Sequence, residues 1–166
     1  MLRIAITGPE SSGKTTLARA LSKVLSAVYI PEFARQYLQE KGLKYDQQDL
    51  DEIAKGQLNL ILSSQNSINI VDSDFVVLKV WSDEKFQFTS SKISKLLSEN
   101  HFDLHILCAP DIPWEDDPMR ENPDDRHLLF EKYVNVLNTY KKDFIIVSGL
   151  HDERLKKCVS AIHKLK

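Results

Sequence analysis

The chain has 166 residues, 42% of them apolar and 28% charged, with a formal net charge of −2 at pH 7. This length suits one domain with its own core, and the balanced charge argues against binding nucleic acid or an anionic membrane through a general positive field. No apolar run approaches the ~20 residues of a membrane span, and an apolar strand beginning at residue 2 leaves no room for a signal peptide, so we expect a cytoplasmic protein.

The first predicted strand, over residues 3–6, leads into Gly8–Thr15, which reads GPESSGKT and matches the phosphate-binding pattern G-x-x-x-x-G-K-[ST]. Glycines let the backbone curl so that successive N–H groups face phosphate oxygens, while Lys14 supplies a mobile charge and the Thr15 hydroxyl ligates Mg²⁺. Apolar residues at helical spacing follow, and this strand–loop–helix context favours a true phosphate loop over a chance match. We therefore predict a nucleoside triphosphate site. The residues predicted to line it are Gly8, Pro9, Glu10, Ser11, Ser12, Gly13, Lys14, Thr15 and Thr16.

The second predicted strand, over residues 28–30, is followed by Glu32. Ligands of doubly wound sheets bind beyond the carboxyl ends of the strands, so this carboxylate is placed to orient or deprotonate an attacking hydroxyl. The alternative is a first-turn glutamate that stabilises a helix N-terminus. Arg35 either pairs with Glu32, three residues earlier, or binds the substrate.

A helix is predicted from the apolar spacing between Leu50 and Leu62, with Asp46 or Asp49 available to cap it. The third strand, over residues 68–71, ends at Asp72, which we predict to hold Mg²⁺ because a phosphate-bound Mg²⁺ is usually completed by one or two carboxylates.

Two further residues near this strand carry open alternatives. Asp74 is interpreted as a helix N-cap, a substrate ribose acceptor or a base. Trp81 lies on the predicted helix that follows, where core packing and stacking on a substrate ring are both open.

The segment 110–126, after a predicted strand over residues 104–108, holds four prolines, seven carboxylates and two arginines. Such a composition predicts an irregular insertion, and we interpret it as a lid over the active site. Arg120 and Arg126 are the candidate phosphate clamps, because planar guanidinium groups stabilise charge that develops on phosphoryl oxygens. Trp114 could cover a substrate ring. A solvated acidic loop that neutralises its own arginines is the alternative.

The fifth predicted strand, over residues 144–147, precedes a loop containing Gly149, which is placed either to contact a nucleotide base or to form an ordinary turn. Cys108 and Cys158, without C-x-x-C spacing, are interpreted as small buried residues in a reducing compartment. Five strands alternating with helices predict an α/β P-loop fold, with a five-stranded parallel sheet covered by helices on both faces. Residues 1–166 are expected to form a single domain, with the lid inside it.

The chain resembles the ribosylnicotinamide kinase domain of the bacterial NAD-biosynthesis regulator NadR. The Pro-Asp-Ile-Pro-Trp run followed by two arginines is the specific part of this resemblance, and the acid–Thr–acid pattern of the family reads Asp-Ser-Asp here. The segments that carry it are 8–18, 31–35, 54–57, 72–74, 79–81 and 110–117, together with Arg120, Arg126, Gly149 and Arg154.

The resemblance implies a P-loop kinase that uses ATP and Mg²⁺ to phosphorylate the ribose 5′-hydroxyl of nicotinamide riboside. Lys14, Glu32, Asp72, Arg120 and Arg126 would be catalytic, and Thr15 and Asp72 would bind the metal. Nucleotide binding would extend to Gly149 and Arg154, and substrate binding would involve Glu32, Arg35, Asp74, Trp81 and Trp114. NadR also carries a fused adenylyltransferase, which 166 residues cannot accommodate, so that step would fall to a separate downstream partner. A kinase for another nucleoside or small metabolite, or an ATP-dependent regulatory module, remains open.

Overall fold

Five parallel strands form one sheet in the order β2-β3-β1-β4-β5 in the computed structural model, which describes residues 1–42, 44–120 and 124–165. The strands are β1 (Leu2–Thr7), β2 (Val28–Ile30), β3 (Ile68–Asp72), β4 (Leu104–Cys108) and β5 (Phe144–Val147). This sheet confirms the predicted fold class, and every predicted strand is present within one residue at each end.

Strand β1 lies at the centre of the sheet, between β3 and β4. The near-continuous apolar sequences of β3 and β4 suit strands that are buried on both faces. Ile6 of β1 pairs with Asp72 of β3, so the carboxylate that ends β3 lies beside the strand that leads into the phosphate loop.

Helices cover both faces of the sheet and enclose two apolar cores. One core joins α1 and α7 to the sheet through side chains such as Leu17, Leu21, Cys158 and Ile162. The other joins the opposite face to the remaining helices, around Ile53, Phe75 and Ile93 among others. The helices are α1 (Lys14–Val24), α2 (Phe33–Lys41), α3 (Gln47–Ser63), α4 (Phe75–Phe86), α5 (Ser91–Glu99), α6 (Arg126–Thr139) and α7 (His151–His163).

Local signals explain several helix boundaries. Asp46 caps α3 by accepting from the backbone N–H groups of Gln48 and Asp49, and the Asp49 carboxylate accepts in return from Asp46 N. The two candidate caps of the sequence therefore act together as a capping box. Helix α5 is not among the sequence predictions, although Ser90 caps it by accepting from Ile93 N.

The predicted lid is irregular over residues 110–120, while its last residue, Arg126, begins α6. Residues 121–123 of this segment lie outside the described residues. Cys108 and Cys158 are free and buried. Among the helices described, none is both long and apolar enough to cross a membrane.

Candidate active site

The loop between β1 and α1 takes the backbone shape that its glycines permit. Gly8 has φ 134°, and a Cβ there would stand 2.7 Å from the carbonyl oxygen of Cys108, so only glycine fits against β4. Gly13, with φ 80°, precedes the first residue of α1. The Lys14 Nζ donates to the carbonyl oxygens of Gly8 and Pro9, at 2.9 and 2.7 Å. The two carbonyl oxygens hold the Lys14 ammonium group beside the loop, where the oxygens of a bound phosphate would compete with them for its hydrogen bonds.

A cavity of about 330 Å³ joins this loop to Glu32 at the end of β2, to α4 and to the lid, whereas Asp72 and Arg126 do not border it. Its size is at the lower end of the range typical of small-molecule sites. All nine residues predicted to line a nucleotide site border it, and so do Glu32, Arg35, Trp81 and Arg120. Residues that were not among the predicted site residues complete its wall: Ala34, Leu38, Val77, Val80, Glu84, Lys85, Ile112, Glu115, Met119, Leu129 and Tyr133.

Asp72 is 1% exposed at the end of β3, and its two carboxylate oxygens have different surroundings. Oδ2 accepts a hydrogen bond of 2.9 Å from the Tyr29 hydroxyl of β2, whereas Oδ1 is buried and has no hydrogen-bond partner among the described residues. The same holds for the Thr7 hydroxyl, at the end of the neighbouring β1. Oxygen atoms without a hydrogen-bond partner beside a phosphate loop are available as ligands for Mg²⁺, which binds oxygen.

Within the described residues, no group of three or more His, Cys, Asp and Glu side chains could hold a metal by itself. This fits Mg²⁺, which is usually bound by one or two carboxylates, water and substrate phosphates. Thr15 and Asp72 are the residues that could hold a metal that arrives with a nucleotide.

Asp74 occupies the N-cap position of α4, yet its side chain makes no capping hydrogen bond. It is 1% exposed and its Oδ2 lies 3.1 Å from Nε2 of His105 on β4, a residue equally buried. The contact is within ion-pair distance, although neither Asp74 oxygen meets hydrogen-bond geometry. Asp74 does not border the cavity with Glu32, so the structure does not bring it to the predicted substrate site.

Glu32 directly precedes α2 and borders the cavity without capping that helix. Burial raises its pKa, the charge of Lys14 opposes this effect, and the nearby Asp72 adds to it. Gln57 of α3 holds the loop on both sides of Glu32, since its Oε1 accepts from Phe33 N at 2.8 Å and its Nε2 donates to Pro31 O at 3.2 Å. Gln57 was not predicted to act in the site, because its partners lie far away in the sequence.

The lid contacts the phosphate loop through Ser11, whose backbone has φ 50°. Arg126 Nη1 donates to the carbonyl oxygens of Ser11 and Ile112, at 3.0 and 2.9 Å. Arg120 Nη1 donates to Ser11 Oγ at 3.3 Å and to the carbonyl of Glu115, while Ser11 Oγ accepts from Glu115 N at 2.9 Å. Within the described residues, both arginines thus bind backbone or hydroxyl oxygens of the loop and the lid, and Arg120 also lies 3.9 Å from Glu115 Oε2.

One ion pair also joins the lid to α2. Arg35 Nη1 lies 3.0 Å from Asp117 Oδ2, so its described partner is a lid carboxylate and not Glu32. A hydrogen bond from the backbone of Met119 lowers the pKa of Asp117, and Arg35 and Arg120 lower it further. The lid is therefore connected to both sides of the cavity.

The two tryptophans have different environments. Trp81 borders the cavity and donates to the Tyr45 hydroxyl at 2.8 Å. Trp114 does not border the cavity. Its ring lies 5.9 and 5.7 Å from the guanidinium carbons of Arg120 and Arg126, so it packs against both candidate clamps.

Gly149 and Arg154 lie behind the phosphate loop and do not border the cavity. Arg154 is 3% exposed and binds backbone carbonyls of three loops together with the Asp111 carboxylate. Asp111 was not among the predicted site residues, because the pair is separated by 43 positions and no local pattern reveals it.

Comparison with known proteins gives concordant matches. A family described as an AAA domain matches residues 3–154. The trifunctional NAD biosynthesis/regulator proteins NadR of Salmonella typhimurium and Escherichia coli K12 are each 28% identical over 98% of this chain. The alignment covers 42% of each relative, so the chain spans less than half the length of the curated relatives it matches.

Solved structures share the fold along almost the whole chain. A NadR protein in complex with NR has a TM-score of 0.80 at 21% identity, covering 98% of this chain and 50% of that chain. A deoxyadenosine kinase from M. mycoides has a TM-score of 0.70 at 14% identity, covering 98% of this chain and 100% of that chain. The similarity establishes a P-loop fold shared with nucleoside kinases.

Proposed function

The chain belongs to this AAA domain family, and from that premise we propose that it is an ATP-dependent kinase of nicotinamide riboside. It would transfer the γ-phosphoryl group of ATP to the ribose 5′-hydroxyl and release nicotinamide mononucleotide. Two comparisons support this acceptor. The NadR relatives are named as NAD biosynthesis proteins, and one solved NadR structure is a complex with NR.

The observation that carries the proposal is the single cavity bordered by the phosphate loop, Glu32 and Arg120. A phosphoryl donor on the loop and a hydroxyl beside Glu32 would share one enclosed space. Phosphoryl transfer depends largely on such positioning and on charge stabilisation, since the protein does little covalent chemistry.

Each residue then has a defined task. The loop N–H groups and Lys14 would hold the phosphates, and Thr15 and Asp72 would hold Mg²⁺, which neutralises charge on the phosphate oxygens when bound. Glu32 would accept the proton of the acceptor hydroxyl, a role that suits a carboxylate whose pKa is raised by burial. Asp72 is the second candidate for the proton. Arg120 and Arg126 would exchange their present oxygen partners for those of the transferring group.

A kinase for a different nucleoside is the second candidate, favoured by the deoxyadenosine kinase fold, which matches 98% of this chain and 100% of that chain. The experiment is ATP consumption by the purified protein with Mg²⁺ and each of nicotinamide riboside, deoxyadenosine and cytidine. We expect stimulation by nicotinamide riboside alone, with formation of nicotinamide mononucleotide. Preference for another nucleoside would move the chain to the second candidate.

The matched control in that experiment is Lys14→Ala. Its side chain contacts loop carbonyls and not a core, so we expect a folded protein without turnover. Parental turnover in this variant would remove the phosphate loop from the reaction. ATP hydrolysis that no nucleoside stimulates would favour an ATP-dependent regulatory module.

A further inference from the structure

We propose that Arg154 is a positioning residue that aims the N–H of Gly13 at the phosphates, and that Asp111 keeps it in place. The inference rests on the nucleotide-binding half of the proposed function. Arg154 lies in the first turn of α7, behind the phosphate loop, and does not border the cavity. Its effect on a nucleotide would therefore pass through the loop backbone.

The guanidinium group donates four hydrogen bonds to acceptors on three loops at the carboxyl edge of the sheet. Nη1 donates to Ser12 O at 2.7 Å, Nη2 to Ala109 O at 3.1 Å, and Nε to Gly149 O at 3.0 Å. Nη2 also binds Asp111, whose other oxygen accepts from Gly149 N at 2.6 Å. One side chain thus links the loops that follow β1, β4 and β5.

Planarity of the peptide bond carries the argument from Ser12 to Gly13. In a trans peptide the C=O and the following N–H point in opposite directions, so fixing one fixes the other. Because Arg154 holds the Ser12 carbonyl from behind the loop, the Gly13 N–H is directed away from Arg154, toward the side that borders the cavity. Inward N–H groups of this kind form the anion-binding nest of a phosphate loop.

The burial of Arg154 and the number of its hydrogen bonds explain why this position needs an arginine. The Arg154 side chain is 4% exposed, and its charge is balanced by Asp111. A Cβ on Gly13 would lie 3.8 Å from Arg154 Nη1, which places the guanidinium in ordinary contact with the loop. Lysine offers a single ammonium on a flexible stem and lacks the planar fork that reaches three carbonyls at once.

The experiment measures ATP affinity directly, by calorimetry with Mg²⁺, in Arg154→Met and Arg154→Lys. The affinity for nicotinamide riboside and the melting temperature are measured in the same proteins. Ile162→Ala, a fully buried position on the same helix, is the stability control because it removes core packing without touching the loop.

We expect both Arg154 variants to raise the Kd for ATP by about tenfold or more, the scale of a lost hydrogen bond to a charged group, with the lysine variant less affected. The affinity for the riboside should stay at the parental value, and Ile162→Ala should lower the melting temperature without changing the Kd for ATP. A merely structural role would give Arg154→Lys and Ile162→Ala the same binding behaviour.

Parental ATP affinity in folded Arg154→Met overturns the inference. If Arg154→Met does not fold, parental ATP affinity in folded Arg154→Lys overturns the inference instead. A parent protein that binds no ATP overturns both the nucleotide site and this inference. A parent that binds ATP but phosphorylates no nucleoside overturns the proposed function alone.

Discussion

The Tyr29 hydroxyl donates a 2.9 Å hydrogen bond to Oδ2 of Asp72, joining the second strand to the carboxylate that ends the third. Burial raises the pKa of Tyr29 to about 12, and the charge of Asp72 adds to the effect, so the hydroxyl remains a donor at neutral pH. With Oδ2 occupied, the buried Oδ1 is the oxygen left for a metal. Tyr29 therefore orients the proposed Mg²⁺ ligand without binding the metal itself.

This relationship predicts that Tyr29→Phe weakens the response to Mg²⁺. Loss of a residue that orients a metal ligand typically costs about 10–100-fold in metal affinity or activity. We expect a matching rise in the Mg²⁺ concentration that gives half-maximal ATP turnover. Tyr140→Phe, at the end of α6, is the matched control and should keep the parental Mg²⁺ response. The same Mg²⁺ response in Tyr29→Phe and parent would show that Asp72 needs no such support.

The local sequence predicted Asp72 but not Tyr29, and the difference has a physical cause. A carboxylate directly after an apolar run is visible within five residues, as are the five strands and the phosphate loop. Tyr29 reaches Asp72 only through the pairing of β2 with β3, which joins residues 43 positions apart. Gln57 and Asp111 were not predicted either, because their partners are also distant in the sequence.

Asp74 shows the limit of a local signal in another way. Its position before α4 suggests a cap, and the structure places it at the N-cap, yet the carboxylate turns toward His105 of β4. Only the strand order β3-β1-β4 brings these two residues within reach of each other. The sequence therefore suggested three roles for Asp74 but did not reveal its contact with His105.

The second prediction separates the two aspartates. Asp72→Asn removes a charged metal ligand and should raise the Mg²⁺ requirement for ATP turnover strongly. Neither aspartate borders the cavity, but Asp74 lies against His105 of β4, so Asp74→Asn should leave that requirement near the parental value. Parallel Mg²⁺ titrations of both variants make the measurement. A larger shift for Asp74→Asn would exchange the two roles.

The third prediction concerns Glu32. Glu32→Gln keeps the shape of the side chain but cannot accept a proton, and positioned acid–base groups contribute about 10²–10⁴ in rate. We expect kcat to fall within that range while the Kd for ATP is unchanged. A first-turn glutamate that only stabilises α2 is worth about 0.3–1 kcal/mol and would leave kcat nearly intact. Near-parental kcat would assign the proton to Asp72.

The fourth prediction is a pH dependence of stability that arises at Asp49. Burial alone would raise the pKa of Asp49, but hydrogen bonds from Lys41, Tyr37 and the backbone of Asp46 outweigh it and lower the pKa to about 2. Between pH 4 and 2 the unfolded chain therefore takes up a proton that the folded chain does not. The stabilisation is complete above about pH 4, near the ordinary carboxyl pKa, and is lost as the pH falls toward 2.

Asp49→Asn should accordingly lower the free energy of unfolding by about 1–2 kcal/mol at pH 7, a value reduced for solvent screening of the partly exposed Lys41. The difference between parent and variant should shrink as the pH falls below 4. Urea unfolding at a series of pH values measures it, with Glu131→Gln, exposed on α6, as the control. A difference that stays constant across this range would contradict the role given to the Asp49 charge.

The last prediction tests the lid. Arg120 and Arg126 donate to Ser11, and Arg120 also lies within ion-pair distance of the lid carboxylate Glu115, 3.9 Å from its Oε2. A loop that neutralises its own arginines and a lid that closes over the phosphates therefore both remain open. In the proposed mechanism both guanidinium groups would move to phosphate oxygens as charge develops there. Arg120→Lys and Arg126→Lys keep the charge but lose the planar fork. Each should lower kcat while leaving the Kd for ATP near the parental value, since the contact would form mainly in the transition state.

Arg3→Lys controls for the effect of replacing any arginine by lysine, because Arg3 lies near the start of β1, at the other end of the strand from the phosphate loop. Steady-state rates at saturating ATP and nicotinamide riboside make the comparison, and parental rates in both lid variants would remove these arginines from the reaction.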